Sequence, residues 1–184
     1  MVQEVNSYKY LGIYVNTQLK WREQEQRAIA NATKWILQYK RLSRPSTRVS
    51  NKLMQQLYLS VALPKITYGI DAWYTPPVKP TGHTKNTGSV KALHGLQKAQ
   101  RLATLAITGT LQTTPNNFVD IHAGTLPMDL ALTKACHNSI ICMLTLPEHH
   151  PLYNIIETAR NTSPTKHLSP IDTLLKQFNL RQTK

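Results

Sequence analysis

The sequence predicts a mainly α chain, a helical bundle with one β-strand at its N-terminus. Two observations predict it. Apolar residues recur at three- and four-residue spacing over several long stretches, and only Tyr8–Val15 is dense in aromatic and β-branched side chains. That stretch stops at Asn16-Thr17, a turn signal, and has no obvious partner strand before it. It therefore reads as an unpaired strand with open edges.

The elements follow in order. Ala28, Ala32, Trp35, Ile36, Tyr39 and Leu42 predict a helix over 22–42, ended by Arg44-Pro45-Ser46. A second helix is expected over 47–63, with Val49, Leu53, Leu57 and Val61 inward and Pro64 as its stop. Residues 66–73 centre on Gly69, and periodicity leaves a helical turn and an extended stretch both open. Residues 75–88 are rich in Pro, Gly and Thr and read as an exposed surface loop. Leu93, Leu96, Ala99, Leu102, Ala103 and Ile107 predict a third helix over 89–107, with Gly109 beyond its end. A short helix near Asn117 ends at Gly124, and a long apolar one spans 127–146. Two short helical signals close the chain, one over Leu152–Arg160 and one entered through Ser169-Pro170-Ile171-Asp172, a Ser-x-x-Asp cap.

Charge is the second source of information. Of 184 residues, 41% are hydrophobic and 17% charged, which leaves enough apolar surface for a core and excludes a charge-rich disordered chain. The 22 Lys and Arg against 9 Asp and Glu give +13, and a balance like that points to a polyanionic partner. The excess is uneven: +7 over residues 1–52, +5 over 53–110 and +1 over 111–184. Between Glu25 and Asp71 there is no acidic residue. Within that interval Lys34, Lys40, Arg41, Arg44, Arg48 and Lys52 straddle the corner between the first two helices, where several cations can converge on one run of phosphates. Lys98 and Arg101 join them from the third helix, with Lys91 seven residues before Lys98 and on the same face. Trp35 and Trp73 occupy positions patterned for the core, which is favoured over a stacking platform for bases.

Other chemistry finds little support. Phosphate loops, dinucleotide fingerprints and zinc-protease motifs are missing, and the nine acids are scattered, with no pair of Asp placed for two metal ions. No catalytic residue is expected. Cys136 and Cys142 lie six apart on a predicted helix, about 120° apart around it, so with His137, His149 and His150 they do not form a metal site. Two cysteines and no apolar leader lead to the expectation of a reduced intracellular setting. The longest apolar run, Ile140 to Leu144, is five residues, too short for a membrane span.

Several segments resemble a known family. Tyr10-Leu11-Gly12-Ile13-Tyr14-Val15 followed by Leu19-Lys20-Trp21 is similar to the palm–thumb junction of reverse transcriptases of non-LTR (LINE-type) retrotransposons. Leu57-Tyr58, Pro64, Tyr68-Gly69 and Trp73 resemble a thumb segment of that family, and Leu96-Gln97-Lys98-Ala99-Gln100-Arg101 its LQ+xQR helix. Gly109-Thr110, Thr113-Thr114-Pro115 and Ala123-Gly124-Thr125-Leu126-Pro127 match the run that follows. Leu146-Pro147, His150-Pro151-Leu152 and Ser169-Pro170 look like the linker before an RNase H domain. The landmarks cover about residues 8–175 in the family's order. The chain departs from the pattern at Gln24, where histidine is frequent, and at Gln112, where arginine is frequent.

The resemblance implies a junction over 1–21, a thumb-like helical region over 22–110 and a connection over 111–184, without palm, fingers or RNase H acids. It implies a fragment that grips a template–primer duplex, RNA–DNA hybrid or DNA, by its phosphates and without sequence preference, in the nucleus. The parent polymerase would need Mg; the fragment itself needs no cofactor, metal or membrane. The alternative is a basic helical scaffold that binds an acidic protein.

Overall fold

A computed structural model describes residues 6–18, 20–42, 49–79, 86–161 and 170–178. Helices dominate, and a two-stranded antiparallel sheet precedes them. The aromatic stretch does not run on as one strand. β1 (Ser7–Tyr10) turns at Leu11-Gly12 into β2 (Ile13–Asn16), with Tyr8 opposite Val15 and Tyr10 opposite Ile13. The φ angles of 45° at Leu11 and 88° at Gly12 are of the sign that a two-residue hairpin turn needs at both central positions. A leucine in the first of these positions hides the turn from a reading by residue type. The strand therefore pairs with itself.

Residues of the next helix hold the hairpin. α1 (Arg22–Leu42) has the bounds the spacing predicts, with Glu23 and Glu25 in its first turn and Lys40 and Arg41 in its last, both favourable to the helix dipole. The Gln24 side chain is buried, and its Oε1 accepts the Tyr14 backbone N–H at 2.9 Å. Arg27 pairs with Glu23 at 2.8 Å and lies 3.7 Å over the Tyr14 ring. The Tyr68 hydroxyl donates to the Leu11 carbonyl at 2.8 Å, which fixes the turn from the other side.

Residues 43–48, with Arg44, Arg48 and the expected stop of α1, lie outside the described residues. α2 (Asn51–Leu57) starts at Ser50, whose hydroxyl caps the Leu53 N–H at 3.3 Å. It runs into a π-helical segment (Tyr58–Ala62) and then α3 (Leu63–Ile66), so Pro64 does not stop the helix as expected. In a regular ladder Pro64 would leave the Ser60 carbonyl without a donor and press its ring on it. The π turn avoids this, because the Leu63 N–H donates to the Tyr58 carbonyl five residues back.

The same turn corrects the expected inward face. Met54, Tyr58, Ala62 and Ile66 are buried, whereas Leu53 is 51% exposed. A four-residue spacing drifts by about 40° per step on an α-helix, about 120° from Met54 to Ile66. The extra residue in the π turn absorbs most of that drift and keeps the four on one line. Leu53, Leu57 and Val61 form a second apolar stripe beside it, so composition alone does not choose between them.

By contacts the chain divides into two units, Met1–Gly69 with Lys91–Asp129, and Ile70–Val90 with Leu130–Lys184. The core of the first includes Ile36, Tyr39, Met54, Tyr58, Leu96 and Val119. The Tyr39 hydroxyl, itself buried, donates to the Met54 carbonyl at 2.6 Å. α5 (Val90–Thr108) meets α1 closely at Gly95, where a Cβ would lie 2.5 Å from the Ile29 Cδ1. α6 (Asn116–Ala123) ends on Gly124 at φ 62°, and α7 (Met128–Leu144) follows.

In the second unit, α4 (Ile70–Trp73) resolves the open reading of residues 66–73 as a turn and a short helix. The foot of the 75–88 loop is not exposed throughout: Tyr74 and Pro76 are buried, and Val78 pairs with Thr87. Residues 80–85 lie outside the described residues. α8 (Tyr153–Asn161) and α4 both pack on α9 (Pro170–Gln177), which buries Leu174 and Leu175. The Ser169 cap falls outside the described residues.

Candidate nucleic-acid interface

The candidate surface of the first unit is built around the end of α5. Glycine at 109 takes φ 67°, the left-handed conformation that closes a helix, and its N–H donates to the Leu105 carbonyl at 2.9 Å. The chain then crosses to α6 through residues 110–115. Arg101 fixes that crossing: its guanidinium donates to the carbonyls of Gln112 and Thr114, the latter at 2.8 Å, and to the Asn116 side chain.

Gln100, next to it, is 2% exposed and works inward. Its Nε2 donates to Asp120 Oδ1 at 3.1 Å and to the Leu126 carbonyl at 2.9 Å, and its Oε1 accepts from the Tyr58 hydroxyl at 3.3 Å. Three stretches that carried the family resemblance, 96–101, 109–115 and 123–127, are thus held together by Gln100 and Arg101. Burial raises the pKa of Asp120 against the opposing pull of the Gln100 hydrogen bond and the Arg101 charge. Burial also pushes the hydroxyls of Tyr39 and Tyr58 well above the usual phenol range, so both stay donors at any working pH.

Two clefts adjoin at Thr110. One, of about 600 Å³, is lined by Lys40, Lys98 and Arg101 with Leu102, Gly109 and Gln112 among its walls. The other, of about 390 Å³, is lined by Asn51, Lys52, Gln55 and His122 among others. No acidic residue is among the described residues lining either.

Of the cations expected at the site, the structure brings Lys40, Lys98 and Arg101 to the first cleft and Lys52 to the second. Lys40, Arg41, Lys52 and Lys98 are exposed. Arg101 is at the site but spends its donors on the 110–116 crossing. Lys34 does not join them; it lines a separate cleft with Trp35 and Lys65. Arg44 and Arg48 lie outside the described residues.

His122 and Thr110 were not legible as site residues, since only the fold puts them beside Lys52. In the second unit, Cys136 is fully buried and its thiol is pushed up to about 12, chiefly by burial, while Cys142 is exposed. Among the described residues, no group of three or more His, Cys, Asp or Glu is placed to hold a metal ion, and no helix is long and apolar enough to cross a membrane. No protein-family model, curated protein or solved structure matches the chain.

Proposed function

We propose that the chain grips double-stranded nucleic acid by its phosphates, without reading bases, as the thumb and connection of a non-LTR retrotransposon reverse transcriptase whose catalytic palm it lacks. One observation carries the binding part. Lys40, Lys98 and Lys52 flank two adjoining clefts whose described linings hold no acid, in a chain of net charge +13. Cations spread over two adjoining clefts suit a polyanion better than a single anion. The polymerase assignment rests on the resemblance of the segments that Gln100 and Arg101 hold together. On that reading the fragment has no polymerase activity of its own, and the parent acts in the nucleus.

Salt titration of binding to a DNA duplex and an RNA–DNA hybrid tests the reading. With six phosphate contacts, affinity falls about a thousandfold between 50 and 200 mM salt. Reversing Arg41, Arg44, Arg48 and Lys98 to Glu weakens binding to all sequences alike. Reversing Lys166 and Lys176, in the near-neutral C-terminal part of the sequence, leaves it unchanged. Binding to an acidic protein, with no duplex binding, would establish the scaffold instead.

A further inference from the structure

Trp35 departs from the core position its spacing suggests. Trp73 is 1% exposed, but Trp35 is only half-buried, at the wall of a cleft of about 410 Å³. The cover on its ring is a cation: Lys65 Nζ lies 3.9 Å from the ring centroid. Asn31, Lys34 and Gln38 complete the polar wall, and no acid is among the described lining residues. α1 supplies Trp35 and Lys34, and α3 supplies Lys65, which the π turn carries into register with α1.

We propose that this cleft takes one unpaired nucleobase of a nucleic-acid strand, stacked on Trp35, with Lys34 and Lys65 on the flanking phosphates. An exposed cation–π contact is worth about three- to fivefold in an equilibrium constant. A base stacked on an aromatic ring is worth about tenfold, so the base displaces the ammonium. The displaced Lys65 keeps its charge on a flexible four-carbon stem within reach of the phosphate beside that base. The amides of Asn31 and Gln38 each offer donors and an acceptor, so they satisfy a base edge without selecting one base. A paired base cannot present its face, because its neighbours in the stack cover it; the ligand must be unpaired. This site goes beyond the duplex grip proposed above, and it stands on different residues.

Tryptophan fluorescence of the full chain, titrated with an oligo(dT) octamer in 0.3 M NaCl, tests it. Phosphate contacts are suppressed at that salt and stacking is not. The octamer quenches the emission. Trp35→Leu loses that quench and about tenfold in affinity measured by anisotropy, and Trp35→Phe keeps part of the affinity. Lys65→Ala, which uncovers the ring without a change in the core, tightens octamer binding about threefold at the same salt. A duplex of equal length gives no Trp35-dependent quench. Unchanged octamer affinity in both Trp35→Leu and Lys65→Ala overturns the proposal. Should Trp35→Leu fail to fold, Trp35→Phe and Lys65→Ala decide. Failure of the duplex grip reads separately, as a salt slope of duplex binding that Lys98→Ala leaves unchanged.

Discussion

Gln100 and Asp120 meet in the interior of the first unit, with the Gln100 Nε2 3.1 Å from the Asp120 Oδ1. The amide is satisfied on both of its N–H groups and on its oxygen, so one side chain closes α5, α6, the π segment and the 124–127 turn on each other. Replacing Gln100 by Leu strands the Tyr58 hydroxyl, the Asp120 carboxylate and the Leu126 carbonyl together. The expected loss is about 3 kcal/mol in chemical denaturation.

The pH behaviour of Asp120 has a definite sign. Burial raises its folded pKa above the ordinary 3.8, so the folded chain holds the proton more tightly than the unfolded one. Its contribution to stability is fully present below 3.8 and is lost as pH rises through the folded value. Asp120→Asn removes that dependence. Melting both proteins from pH 7 down to pH 4 should show wild type gaining on the variant as the pH falls.

Arg101 and Lys98 share a helix and a cleft but should separate cleanly by experiment. Arg101 donates to two backbone carbonyls and the Asn116 side chain, a fork that an ammonium cannot reproduce. Arg101→Lys should cost about 2 kcal/mol and open residues 110–115 to proteolysis. Lys98→Ala should leave stability within about 0.5 kcal/mol and lower the salt slope of duplex binding by about one unit. Equal losses of stability in the two variants would defeat the distinction.

Leu11 sits at φ 45° and is 72% exposed, so it bears left-handed strain for little packing in return. Leu11→Asn creates Asn-Gly, the pair best suited to this hairpin turn. An increase of about 1 kcal/mol is expected by thermal melting. Unchanged or reduced stability would place the strain elsewhere.

The two thiols should react very differently. Cys142 is exposed, while Cys136 is buried and its thiol is pushed up to about 12. In native protein at pH 8, a thiol reagent should label Cys142 and stop there; Cys136 should follow only in denaturant. Mass spectrometry of the labelled peptides reads the outcome.

Much of the framework was legible because long helices advertise themselves by spacing. The bounds of α1 match the expectation, and those of α5 and α7 fall within two residues of it. What failed did so where a local rule had a structural exception. Leu11 in a glycine-like position concealed the hairpin, and the π turn let Pro64 continue a helix. Two adjacent apolar stripes on the second helix made its inward face ambiguous, and tertiary contact chose the one that includes Tyr58. Of the lysines grouped by charge, Lys40, Lys52 and Lys98 line two adjoining clefts and Lys34 lines another, a difference that only the packing of α3 on α1 reveals. Arg101 was legible as a cation and not as a clamp, since its acceptors are mainly backbone carbonyls.

A π turn is an α-helix that has taken in one residue too many, and the helix from Asn51 to Ile66 carries that surplus on account of Pro64. Excision of Ser60, which is exposed, leaves Met54 and Ile66 eleven positions apart, a separation that returns them to one face within about 20°. The proline then sits in an ordinary ladder, at a cost of about 3 kcal/mol. Pro64→Ala alone frees the ladder but leaves the surplus residue in place. The two changes should therefore rescue each other: either alone lowers the melting temperature, and together they restore it. Length and residue type, usually independent kinds of mutation, are coupled at this one point of the chain.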